Sequence, residues 1–214
     1  MKRNGFTLAE LLVTLLIIGV VAVITAPALM NVMPDKNKVV VLKLHKAIAE
    51  INQDLLKNPS LYWPFDDDCE GLSCTDKPTI EPYNNAKYEG DTKYTYLLKS
   101  KLDMANSTEN SDETFTTTDG NYWKISNVGT ENSRLEKIVR AQIVIDINGP
   151  DGNNCSFKAN CKKPDQFIFL VTDDGKVYGG DSLTQAYIDN KEKLNDKKTD
   201  YDNANRNYSK FASE

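Results

Sequence analysis

The sequence predicts an α+β protein in which a long N-terminal helix precedes an antiparallel sheet and packs its second half on it. Three observations carry that reading. Residues Leu11–Pro34 hold no charged side chain, and the twenty from Leu11 to Met30 are nearly all apolar (LLVTLLIIGVVAVITAPALM). One apolar stripe at helical spacing follows them. Beyond residue 112, short runs alternate apolar and polar residues and are broken by Asp-Gly pairs, which is the pattern of strands and hairpins.

The chain has 214 residues, room for one ordinary domain and an extension. Its 26 basic and 31 acidic side chains give a formal charge of −5. No basic face is present for nucleic acid, so a dedicated nucleic-acid binder is excluded. Mean hydropathy is −0.51, yet the apolar residues are concentrated at one end. The run Leu11–Met30 is long enough as a helix to cross a hydrocarbon core of roughly 30 Å. A purely cytosolic enzyme does not fit that distribution.

Lys2 and Arg3 precede the apolar run and favour a cytoplasmic N-terminus, with the polar bulk outside. A secretory signal peptide has a shorter core and a small-residue cleavage site. Ala22 and Ala26 are poor sites of that kind, since Pro27 follows. Neither a signal peptide nor a plain anchor explains Glu10, a carboxylate at the head of an apolar helix. Helix-dipole preference explains it only as an interfacial residue.

The whole string resolves this. Gly5-Phe6-Thr7-Leu8-Ala9-Glu10, after a short basic leader and before about twenty apolar residues, resembles the signal of type IV pilins and type II secretion system pseudopilins. The resemblance is strong over roughly the first 35 residues and holds only in outline beyond. It implies a leader, residues 1–5, that prepilin peptidase removes between Gly5 and Phe6. It implies N-methylation of Phe6 by the same enzyme. It gives Glu10 an assembly role, neutralising the N-terminal amine of a neighbouring subunit. Two opposite charges in an apolar bundle attract strongly and each alone is penalised, so such a pair sets register. Loss of Lys2 and Arg3 with the leader takes the side-chain balance from −5 to −7. Gly19 and Pro27 interrupt the apolar helix, and the resemblance makes them helix breakers that melt when subunits pack. Pro removes one helical hydrogen bond and bends the rod.

Residues 6–34 are therefore expected as a transmembrane and filament-core helix, and residues 35–57 as the amphipathic half of the same helix. Val41, Leu44, Ile48, Ile51 and Leu55 form its stripe, and Asn58-Pro59 stops it. A helix from Phe6 to Lys57 is about 78 Å long. A coiled-coil use of the stripe is disfavoured, because only two heptads are present. Residues 58–188 are expected as a globular α+β head with two cysteine pairs.

Residues 58–112 read as irregular, with Pro59, Pro64, Pro78 and Pro82 and the acidic run Asp66–Asp68. One short helix is expected near Thr92–Met104, with Tyr94, Leu97, Leu98 and Leu102 on its apolar side. Strands follow at Phe115–Thr117 and Tyr122–Ile125, flanking Asp119-Gly120. Others are expected at Ile138–Ile147, over Phe167–Val171, and at Lys176–Tyr178 after Asp174-Gly175. The stretch Asp146–Pro150, a cysteine-bearing loop and Asp165–Phe169 also resembles the sheet region of some pilin-like heads.

Cys69, Cys74, Cys155 and Cys161 fall in two close couples, which outside the cytoplasm reads as disulfides. Pairing within each couple is the simplest of three connectivities, and a four-thiolate metal site is the competing use. Asp146, Asn148, Asp151 and Asn153 form a weak calcium candidate with oxygen ligands at near-alternate positions. Gly149 and Pro150 break the EF-hand pattern, and turn chemistry explains the same residues. No metal and no cofactor is expected.

Ser182 with Gln185 is a candidate cap for a short helix. Residues 189–214 read as a polar C-terminal helix or tail, with Tyr187, Leu194, Tyr201 and Tyr208 seven apart. His45 is the only histidine and has no triad partners that the sequence places near it. Nucleotide-binding and hydrolase motifs are absent, so no catalysis is expected. The resemblance implies a structural subunit, pilin or pseudopilin, of a type IV pilus or a secretion filament. Its implied partners are copies of itself, other pilin-like subunits, prepilin peptidase, the inner-membrane assembly platform and, before assembly, membrane lipid. Its implied location is the bacterial inner membrane, single-pass with the head outside, and then a pilus or periplasmic filament. The alternative is a membrane-anchored extracytoplasmic binding domain that does not polymerise.

Overall fold

The computed structural model describes residues 7–32, 35–63, 68–105, 113–152, 154–157, 161 and 163–189, with backbone alone over 22–32. Gly5, Phe6, Asp66, Asp67, Asn153 and the tail from residue 190 lie outside the described residues. The chain divides into two units, residues 1–36 and 37–214.

The first unit holds helix α1, Leu8–Val32. Its described side chains are apolar on every side, and Leu8, Leu12, Leu16 and Ile18 are largely exposed. A helix apolar all round has no face to lay on a globular core, so it belongs in a membrane or a bundle. Among the described residues no helix is long and apolar enough to cross a membrane, and the described side chains of α1 end at Val21.

The second unit begins with α2, Lys36–Leu56. Asp35 lies outside both helices, and residues 33–34, where the single helix expected over residues 6–57 would continue, lie outside the described residues. The α2 stripe is Val41, Leu44, Ile48, Asn52 and Leu55, all buried. Ile51, expected in it, is half-buried, and polar Asn52 holds the central place. Asn52 Nδ2 donates to the Gly175 carbonyl at 3.2 Å, and Tyr94 Oη donates to Asn52 Oδ1 at 2.9 Å. Both ends of the buried amide are thereby satisfied, which removes the cost of burying it.

Helix α3, Lys93–Ser100, falls within the expected segment, and Tyr94, Leu97 and Leu98 are fully buried. Five strands follow: β1 Thr114–Thr116, β2 Tyr122–Asn132, β3 Lys137–Asp146, β4 Gln166–Thr172 and β5 Val177–Gly179. They form one antiparallel sheet in the order β1-β2-β3-β4-β5. Every neighbour in sequence is a neighbour in space; the connections are short except that from β3 to β4, which carries the second cysteine pair. Trp123, Ile145 and Phe167 pair across three strands, and Ile125, Ile143 and Phe169 make the next row. Those rows meet Val41, Leu44, Ile48 and Leu55 of α2 in one core. The 3.6 period of the helix and the 2.0 period of the strands both point their apolar residues inward, and that shared core holds the head together.

The two Asp-Gly hairpins use one local design. Thr117 and Thr172 each donate a hydroxyl to the aspartate two residues on, at 2.5 and 2.6 Å. Gly120 (φ 85°) and Gly175 (φ 77°) supply the left-handed residue each turn needs. A short helix α4, Ser182–Ile188, ends the described head, and Tyr187 packs on Phe167 with ring centroids 5.9 Å apart.

Candidate functional site

Two regions hold the residues singled out in the sequence: the start of α1 and the loops of the head. At the start of α1, Thr7 stands one residue before the helix and its hydroxyl accepts from the Glu10 amide at 3.3 Å. Glu10 Oε2 in return accepts from the Thr7 amide and the Thr7 hydroxyl, each at 2.8 Å. This is a reciprocal capping box, which satisfies amides that the first helical turn leaves without partners. Its signal in the sequence is Thr-x-x-Glu, Thr7 to Glu10. The box places the carboxylate at the positive end of the helix dipole. Gly19 sits inside α1 with no atom within 4 Å of where a Cβ would be, so sterics alone do not require glycine there. Pro27 also lies within α1.

In the head, Cys69 pairs with Cys74 and Cys155 with Cys161, with Cα atoms 5.1 and 5.9 Å apart. Pairing within each couple leaves no described cysteine free for the four-thiolate metal site. Cys74 is fully buried and Cys69 half-buried. The loop they close is fastened to the sheet, because Leu72 donates its amide to the Asp173 carbonyl at 2.8 Å. Lys93 then donates from Nζ to the Cys74 carbonyl at 3.0 Å and lies 4.2 Å over the Tyr62 ring. Burial pushes the Lys93 ammonium down to about 8, aided by neighbouring Arg140 and opposed by Asp76. The Arg140 guanidinium is itself buried and donates to the Asp91 carbonyl at 2.7 Å.

The calcium candidate is occupied by its own hydrogen bonds. Asp146 accepts from the Asn148 amide at 3.3 Å and from Gln166 Nε2 at 3.1 Å. Asn148 Nδ2 donates to Asp165, whose other oxygen accepts from the Cys155 amide at 2.6 Å. Asp151 is exposed and takes no part in these bonds, and no cluster among the described residues suits a metal ion. These residues hold the second disulfide loop against β4.

The cap of α4 is Asp181, not Ser182. Its Oδ1 accepts from the Thr184 amide at 2.8 Å and its Oδ2 from the Thr184 hydroxyl at 2.7 Å. Gln185 turns back instead, and its Oε1 accepts from the Gly179 amide at 2.7 Å. A carboxylate reaches two donors at once, which the serine hydroxyl one residue later cannot do. His45 bonds the Val177 carbonyl through Nε2 at 3.1 Å, so it ties α2 to β5.

Comparison with curated proteins and comparison with solved structures each found no match. Residues 1–26 match the prokaryotic N-terminal methylation motif, the signature of the precursors of type IV pilins and pseudopilins.

Proposed function

We propose that the chain is a structural subunit of a pilin-like filament, made as a membrane-anchored precursor. The observation that carries this reading is the methylation motif over residues 1–26, with Gly5-Phe6-Thr7-Leu8-Ala9-Glu10 at its centre. Prepilin peptidase cuts between Gly5 and Phe6 and methylates the new amine of Phe6. The apolar helix anchors the precursor in the inner membrane and afterwards forms the filament core with other copies. Its all-round apolar surface supports both roles, since lipid and a helical bundle accept the same surface. Gly19 and Pro27 are the points at which that helix yields during packing.

Glu10 works in two states on this account. Its carboxylate is held by Thr7 within the subunit, and in the filament it meets the amine of Phe6 on a neighbour. The exchange keeps the charge compensated throughout, which a lone carboxylate in an apolar bundle requires. The head has the two bridges and the stitched hairpins expected of a domain that works outside the cytoplasm. Two variants test the reading. Gly5→Leu blocks shortening of the precursor. Glu10→Ala leaves shortening intact and abolishes assembly, by at least about tenfold in filament yield if a charge pair of a few kcal/mol is lost. Normal filaments from Glu10→Ala contradict the role given to Glu10. Unchanged processing of Gly5→Leu contradicts the cleavage position.

A further inference from the structure

We infer that the Cys69–Cys74 bridge exchanges with external thiols through Cys69 alone, and that Cys74 is the sulfur that leaves. Two observations make the two cysteines unequal. The first is access. Cys74 is 1% exposed, whereas Cys69 is half-buried between Asp68 and Glu70, both exposed. An incoming thiolate needs access to the cysteine it attacks, and of the two only Cys69 is accessible.

The second is position after opening. The Leu72–Asp173 and Lys93–Cys74 hydrogen bonds do not pass through either sulfur, so they hold the loop when the bridge is cut. Gly71 adds to this, since a Cβ there would meet the Asp173 oxygen at 2.1 Å. Cys74 therefore stays in place to close the bridge again.

The chemistry is a thiol–disulfide exchange with an external thiol as the reductant. Its thiolate bonds to Cys69 Sγ, the Sγ–Sγ bond breaks, and the electron pair leaves on Cys74 Sγ. A second external thiolate attacks the external sulfur of the mixed disulfide and releases Cys69 as a thiolate. The bridge gains two electrons and two external thiols become one disulfide. Closure runs the same steps backwards: the Cys69 thiolate attacks an external disulfide and releases one external thiolate, and Cys74 then attacks Cys69 Sγ of the mixed disulfide and releases the second.

The test uses the full chain in detergent and glutathione as the probe. Cys74→Ser leaves Cys69 as the single thiol of the couple, and Cys69→Ser leaves Cys74. With excess glutathione disulfide under folding conditions, Cys69 acquires glutathione at least about tenfold faster than Cys74, and denaturant brings the two rates together. A second measurement does not depend on either variant. The unsubstituted protein is exposed briefly to reduced glutathione, quenched with acid and mapped by peptide mass. Glutathione on Cys69 with Cys74 as the free thiol supports the assignment. Glutathione on Cys74, an even division between the two, or a bridge that does not open overturns it.

Discussion

Lys93 shows how a single side chain carries a property of the whole head. The residue is 2% exposed, and its ammonium is held by a carbonyl and an aromatic face rather than by a carboxylate. Burial holds its folded value at about 8, below the ordinary 10.5. The unfolded chain therefore binds more protons between those values, and stability must rise with pH there. The destabilisation is fully present below about pH 8 and is relieved as pH climbs towards 10.5. Tyr62 and Tyr94 oppose it at the upper end, because burial pushes both phenols above their ordinary 10.0 and favours unfolding once free tyrosines ionise. Denaturant midpoints should thus increase between about pH 8 and 9.5, and Lys93→Met should flatten that increase. A flat profile in the unsubstituted protein contradicts the assignment. Asp174 works in the acid range, where it stabilises the fold and its contribution likewise rises with pH. Burial alone would raise its carboxyl, but hydrogen bonds from Lys137, Thr172 and Lys176 outweigh that and hold it well below its ordinary 3.8. Its contribution is present above 3.8 and is lost on further acidification.

At the scale of the element, the hairpins and α2 depend on one another. Gly175 turns the β4–β5 hairpin and lies against α2, where a Cβ would meet Leu56 Cδ1 at 2.6 Å. Gly120 turns the β1–β2 hairpin in the same conformation with nothing within 4 Å. Alanine at either position pays about 1–2 kcal/mol for its left-handed backbone. Gly175→Ala adds the clash with α2, so it should lower the thermal midpoint clearly more than Gly120→Ala. Equal losses would show that α2 does not press on the hairpin. The strands and this turn chemistry were legible in the sequence, because Ile143, Ile145 and Ile147 alternate and Asp-Gly needs no distant partner. The edges of legibility are equally physical. Asn52 was not foreseen in the α2 stripe, because its partners Tyr94 and Gly175 are distant in sequence. Lys93 and Lys99 are not among the residues expected on the apolar side of α3, yet α3 is buried at seven of its eight positions. The Asp181 cap lost to Ser182 by one residue, a difference that only the positions of the Thr184 donors decide.

For the whole molecule, two units divide the work. Residues 1–36 carry the methylation motif and an apolar helix, and residues 37–214 hold a five-stranded head with two bridges. The functional reading rests almost wholly on the first unit, and there the local string was enough, since Gly5–Glu10 and the apolar run specify it without tertiary context. The head states how it is built, through α2, the sheet and the stitched loops, and its chemistry belongs to those loops. The most direct test of this account is the mass of the N-terminal peptide of the protein taken from its native cell. The account predicts a chain that begins with N-methylated Phe6. A chain that begins at Met1 or Lys2, or after Ala22 or Ala26, would contradict it.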